Sequence, residues 1–213
     1  STVFVAPDRL ARFTLADRHI DKAAFGDWVL YVALASFIDL LRFGLTKTSS
    51  VRLLSGAAAE QQWAIMGTSF RINLWLLGAV AAVCWPLAFW AQQAGTGISR
   101  GYLLFLQWYP ILALFNMNWN NATSLFQAEQ QFRRMMYVRL AATGSFVLFL
   151  AANGLYFKWG LMEILYAHLA CNLLASLWTT FAKWDGMAYM GKATQPIQKE
   201  LIDFGKYSMG TLV

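Results

Sequence analysis

Five runs of predominantly apolar residues, at about 25–41, 72–91, 102–126, 137–157 and 161–181, alternate with segments that hold most of the charged side chains. A helix rising 1.5 Å per residue needs about 20 such residues to cross roughly 30 Å of hydrocarbon. These runs are apolar all round, without the stripe every third or fourth residue that a helix on a water-facing core would show. The pattern predicts an all-α polytopic transmembrane bundle. The third run is the least uniform, broken by Pro110 and by Asn116, Asn118, Asn120 and Asn121.

Charge adds direction to the spans. Lys and Arg cluster in alternate connections: Arg42, Lys47, Arg52 and Arg71 in the first, Arg133, Arg134 and Arg139 in the third, Lys183, Lys192, Lys199 and Lys206 in the fifth. The second and fourth hold only Arg100 and Lys158. By the positive-inside bias the first, third and fifth connections are expected to be cytoplasmic. Residues 1–24 break the alternation with Arg9, Arg12, Arg18 and Lys22 beside Asp8, Asp17 and Asp21. Charges near the end of a longer parent chain need not report orientation, and the chain is expected to continue past both Ser1 and the apolar stretch 209–213.

Composition agrees with lipid as the main solvent, at 58% hydrophobic and 13% charged residues against about 25% charged in soluble domains. The net charge of +6 falls in connections, which removes it as a sign of nucleic-acid binding. Cys84 and Cys171 lie inside spans without ligand spacing, so neither a metal site nor a disulfide framework is expected. Trp28, Trp90, Trp108, Tyr109, Tyr156, Trp159, Trp178 and Trp184 lie near span ends and read as interfacial anchors. Within 41–70, Val51, Leu53 and Leu54 alternate with Lys47, Arg52 and Glu60, a pattern that suits a short amphipathic helix on the cytoplasmic surface. Residues 183–199, with Gly186, Gly191 and Pro196, read as a breaker-rich connector.

Polar groups at membrane depth carry the candidate chemistry, because they are costly there unless they face protein or a water-filled cavity. Asp39 and Arg42 share one helical face, either lining a cytoplasm-facing cavity or pairing at the interface with Arg42 snorkelling to the headgroups. Asn116 with Asn120, and Asn118 with Asn121, share faces that suit sugar hydroxyls or, equally, bonds between helices. His168 and Asn172 form a further polar face that would titrate if protons drive transport, or would serve packing. Arg52, Arg133, Arg134 and Arg139 suit phosphate contact, which membrane topology explains as well. No Gly-rich phosphate loop, nucleophile elbow or His-Glu metal spacing is present.

The order Leu10-Ala11-Arg12, Phe25-Gly26-Asp27-Trp28, Leu41-Arg42-Phe43-Gly44-Leu45 and Val51-Arg52 resembles the first loop and second helix of the oligosaccharide flippases. These are the polysaccharide-exporting branch of the multidrug/oligosaccharidyl-lipid/polysaccharide exporter superfamily. Phe126-Gln127-Ala128-Glu129-Gln130-Gln131-Phe132-Arg133-Arg134 resembles that family's connection between helices four and five, and Lys199-Glu200-Leu201-Ile202-Asp203-Phe204-Gly205 the beginning of its helix seven. The resemblance implies that residues 1–182 form the N-terminal lobe of a two-lobe transporter, helices two to six with parts of one and seven. Residues 183–199 would then be a cytoplasmic inter-lobe linker and 200–213 the start of the next transmembrane helix.

The implied activity is translocation of a lipid-linked oligosaccharide across the bacterial inner membrane for O-antigen, capsule or exopolysaccharide assembly. The candidate pathway residues are Asp39, Arg42, Arg52, Asn116, Asn118, Asn120, Asn121, His168 and Asn172. No enzymatic role and no cofactor is expected, with protons or sodium as candidate driving ions. Membrane lipids and other polysaccharide-assembly proteins are the candidate partners, and nucleic acid is not one. The rival readings are a drug or ion antiporter of the same superfamily and an integral-membrane glycan polymerase or ligase.

Overall fold

A computed structural model describes residues 22–94 and 97–210, and among them only helices and turns form. The expected tail of a first helix before Lys22 and the last three residues lie outside the described part. Six helices follow one another: α1 Lys22–Leu54, α2 Ala59–Gln93, α3 Arg100–Ala128, α4 Phe132–Phe157, α5 Leu161–Phe181 and α6 Gln195–Gly210. A 3-10 turn, Met187–Lys192, links α5 to α6. Four of them, α1, α2, α4 and α5, are long and apolar enough to cross a membrane, and the chain is a membrane protein built as an all-α bundle.

The helix α3 owes its lower apolarity to its place in the bundle. It packs against α1, α2 and α5, and Tyr109, Ala113 and Ala122 are fully enclosed. A helix walled in by protein can carry amides that a lipid-facing helix cannot, because its polar groups find partners on its neighbours. Pro110 fits inside it for the same reason, since neighbouring helices can satisfy backbone groups that a proline releases.

The first connection differs from expectation. Helix α1 does not end near residue 41 but continues to Leu54, and α2 begins at Ala59, well before residue 72. At 33 and 35 residues these helices are about 50 Å long, well beyond the hydrocarbon thickness. The stretch read as a loop with a surface helix is therefore the protruding tip of a helical hairpin. Its own small core joins Leu54, Ile65 and Met66 to Leu125, with Ile197 of α6 packed against it.

The larger core lies in the other half of the bundle, where Trp28, Tyr31, Tyr109, Phe146 and Leu165 pack together. Trp28 and Tyr109 are buried here and do not act as interfacial anchors. Nearness to a span end fixes depth but not direction, and both rings point inward. Trp90, Tyr156, Trp159 and Trp178 are exposed, as anchoring requires.

Basic segments gather at one end. Arg52 stacks on Phe204 of α6 at 4.1 Å, Arg71 reaches Gln198 at 2.6 Å, and Arg134 lies over Trp184. At the opposite end Asp27 accepts hydrogen bonds from the Gly101 amide (2.7 Å) and the Ser99 hydroxyl (3.2 Å), tying the start of α3 to α1.

Candidate functional site

Two polar clusters hang on α3, and they are built differently. The inner cluster joins α1 to the middle of α3. Arg42 donates to Asp39 Oδ1 (3.1 Å), to Asn116 Oδ1 (2.6 Å) and to the Ala113 carbonyl (3.2 Å). Asp39 Oδ1 also accepts from Tyr109 Oη (2.8 Å), and Asp39 Oδ2 from Asn116 Nδ2 (2.9 Å). The Phe43 ring covers the guanidinium at 4.4 Å.

Depth follows from the helix itself. Asp39 lies twelve residues after Asp27, roughly 18 Å along α1 from the tie to the start of α3, and hence near the middle of the apolar part of that helix. The Arg42 side chain is 2% exposed, whereas that of Asp39 is 25% exposed. The pair is neutral as a whole, and its anionic half is the partly exposed one. Among the described residues Arg42 Nε has no hydrogen-bond partner.

A ladder of small polar side chains runs from this cluster toward the basic end. Arg42, Thr46 and Ser50 recur every four residues on one face of α1. Thr46 donates to Asn73 Oδ1 at 3.1 Å, Ser50 to Ser69 at 3.0 Å, and Ser69 to Asn121 Oδ1 at 2.9 Å. Each rung joins two helices through neutral hydrogen bonds.

The outer cluster forms where this ladder ends. The Asn121 amide donates to the Asp185 carbonyl. Asp185 is buried, and its Oδ2 accepts from Thr180 (2.7 Å) and Asn118 (3.1 Å) while Oδ1 accepts from the Met187 amide (3.1 Å). Burial pushes the Asp185 carboxyl above the usual carboxylate range, opposed by the hydrogen bonds from Thr180, Met187 and Asn118. Among the described residues no cation pairs with Asp185.

The turn that carries Asp185 is seated on α2 by two glycines. Gly67 lies directly against the Tyr189 carbonyl, leaving no room for a side chain. Gly186, at φ +87°, takes a left-handed conformation that favours glycine, and its missing Cβ would come within 2.6 Å of the Met66 carbonyl oxygen. Trp63 stacks on Tyr189 at 4.3 Å. The connector read as a breaker-rich linker is thus packed on α2 and hydrogen-bonded to α3 and α5.

The nine residues singled out from the sequence consequently fall in separate places. Asp39, Arg42 and Asn116 meet in the inner cluster, with Asn120 bonded to the Asn116 carbonyl at 2.9 Å. Asn118 and Asn121 belong to the outer cluster. Asn172 accepts from Trp119 (3.2 Å) and donates to the His168 carbonyl (2.9 Å), while the His168 ring packs among Trp28 and Phe146. Arg52, two residues beyond Ser50, stacks on Phe204. Tyr109, Thr46, Ser69, Asn73, Thr180 and Asp185 emerge only in three dimensions, although the four-residue spacing of Arg42, Thr46 and Ser50 was a signal once α1 is read as one helix.

No group of three or more His, Cys, Asp or Glu among the described residues is placed to hold a metal ion. Comparison with known proteins finds no matching family model, no matching curated protein and no matching solved structure.

Proposed function

We propose that the chain is one lobe of a membrane transporter that carries a lipid-linked oligosaccharide across the bacterial inner membrane by alternating access, for surface polysaccharide assembly. The observation behind this reading is the partly open Asp39 carboxylate deep in the bundle. A carboxylate facing lipid there would cost several kcal/mol, so such groups border other protein or a polar passage. Asp39 is held in place by Arg42, Tyr109 and Asn116, and Oδ2 accepts only one of these bonds, leaving acceptor capacity for a sugar hydroxyl. A second lobe rocking against this face would expose the cluster to alternate sides.

The rival classes fit less well. A glycan polymerase or ligase is expected to build its site in a large extracytoplasmic loop, but the connections at that end span only 94–99 and 158–160. An ion antiporter needs a carboxylate released to bind its ion, whereas Asp39 already answers a buried guanidinium.

Disrupting the gene in its host and following the lipid-linked glycan distinguishes all three. The proposal expects loss of surface polysaccharide with the lipid-linked oligosaccharide accumulating on the cytoplasmic leaflet. Accumulation on the outer leaflet would assign a polymerase or ligase, and unchanged surface glycan with altered drug or ion tolerance would assign an antiporter.

A further inference from the structure

We infer that α4 is the moving element of the lobe, a gate that bends at two π-helical turns while α1, α2, α3 and α5 stay fixed. This inference concerns motion within the lobe and does not depend on which substrate the protein carries.

The first support is the backbone. Two five-residue π-helical turns, Leu140–Gly144 and Asn153–Phe157, flank a short α-helical piece, Ser145–Ala152, within α4. Among the described residues no other transmembrane helix contains one. A π turn replaces i→i+4 by i→i+5 hydrogen bonding, widens the helix locally, and frequently marks a functional position. At the first turn the Ser145 hydroxyl bonds back to the Ala141 and Ala142 carbonyls, giving the rearranged backbone an alternative partner. At the second, the Asn153 side chain accepts from the Trp159 amide (2.8 Å) and donates to its carbonyl (3.2 Å), so this turn is fastened to the following connection and not to a neighbouring helix.

The second support is how α4 is held. Of its buried residues Val138, Ala142, Phe146 and Leu150 form a single apolar stripe four apart, with Phe146 packed on Trp28 and His168, and the remaining one, Asn153, bonds to Trp159. Leu148 and Leu155, both 72% exposed, lie on the opposite side. The side-chain hydrogen bonds of α4 close on itself or on Trp159, and among the described residues none reaches α1, α2, α3 or α5. By contrast α1, α2, α3 and α5 are cross-tied by the two polar clusters and by the Ser176 bond to the Phe115 carbonyl. An apolar stripe in lipid can exchange protein for acyl chains at small cost, because lipid tails are as apolar as leucine. Directional hydrogen bonds cannot be exchanged that way.

The third support is the position of the upper hinge. Leu140–Gly144 separates the membrane part of α4 from Phe132–Arg139, which rests on Phe126 and Trp184 through Val138 and the Arg134–Trp184 stack. Bending at that turn swings the membrane part of α4, Ser145 onward, away from α5 while Phe132–Arg139 stays seated on Phe126 and Trp184.

Spin-label distance measurements on the protein in nanodiscs test this, with Cys84 and Cys171 first replaced by alanine. One label pair joins α4 to α5 at the exposed sites Leu148→Cys and Leu174→Cys. The reference pair joins α2 to α5 at Trp75→Cys and Leu174→Cys. The gate predicts a broad or two-peaked distribution for the α4 pair and a single narrow peak for the reference pair. Adding Gly144→Ala, whose new Cβ meets only the Leu140 side chain at ordinary contact distance, should stiffen the turn and narrow the α4 distribution toward the reference. Equal widths for the two pairs, or an α4 distribution unchanged by Gly144→Ala, would overturn the inference.

Discussion

The inner and outer clusters both bury a carboxylate beside asparagines of α3, yet one meets a guanidinium and opens to the bundle surface while the other is sealed among neutral donors. Asp39 has 25% of its side chain exposed and is paired to Arg42. Asp185 is 1% exposed and pinned by Asn118, Thr180 and the Met187 amide. An opening at membrane depth needs a polar neighbour outside the bundle, and the proposed transport reading rests on the inner cluster. A closed network needs none, and the outer cluster fastens the turn that leads to α6.

The sharpest way to break this contrast is to remove one charge from the inner pair. Asp39→Ala leaves the buried Arg42 without its counter-ion and should lower stability by about 3–5 kcal/mol, with much of the loss recovered in the Asp39→Ala/Arg42→Ala double variant. Detergent thermal-unfolding midpoints read both, and a double variant no better than Asp39→Ala would show that the two charges are not energetically coupled.

Next in size is the outer clamp. Asp185→Ala strands the Met187 amide and the Thr180 hydroxyl, costing about 1–3 kcal/mol for each donor left unsatisfied, whereas Asn118 keeps Thr180 Oγ1 at 2.7 Å. Gly67→Ala should act in the same direction by about 1–3 kcal/mol, since a methyl has no space beside the Tyr189 carbonyl. Proteolytic cleavage between 183 and 194 would rise in both variants. An uncleaved connector in Asp185→Ala would mean that the clamp does not hold the turn.

Acidity offers a finer probe of the same residue. Because burial raises the folded-state pKa of Asp185 above its unfolded value, its contribution favours folding below the ordinary carboxylate range and is lost as pH rises through the raised folded value. The stability difference between the native protein and Asp185→Asn should therefore change across that window, and a difference flat in pH would contradict the assignment. The smallest effect belongs to Asn120→Ala, whose amide, among the described residues, bonds within its own helix, at about 0.5 kcal/mol or less.

The sequence disclosed the helices because a run that is apolar all round needs no partner to be recognised. It hid the second half of α1, where Thr46, Lys47, Ser49 and Ser50 look like a loop until the four-residue spacing places Arg42, Thr46 and Ser50 on one face. The asparagine pairing was partly legible: helical spacing puts Asn118 with Asn121, and both do reach Asp185. Their partner was not legible, since Asp185 lies in the chain more than sixty residues away, in a segment whose glycines resemble a loose connector. Tyr109 and Trp28 were misplaced because position along a span fixes depth alone, and only the packed neighbours decide which way a ring turns.

Water access beside Asp39 tests the central claim most directly. With Cys84 and Cys171 replaced by alanine, single cysteines at Ser36, one helical turn from Asp39, and at Leu148 on the outer face of α4 can be exposed to a water-soluble maleimide and to a lipid-soluble one in native membranes. The account predicts that the water-soluble reagent labels Ser36→Cys and leaves Leu148→Cys unmodified, while the lipid-soluble reagent labels Leu148→Cys. Labelling of Ser36→Cys by the lipid-soluble reagent alone would place Asp39 against hydrocarbon and contradict a polar passage at that face.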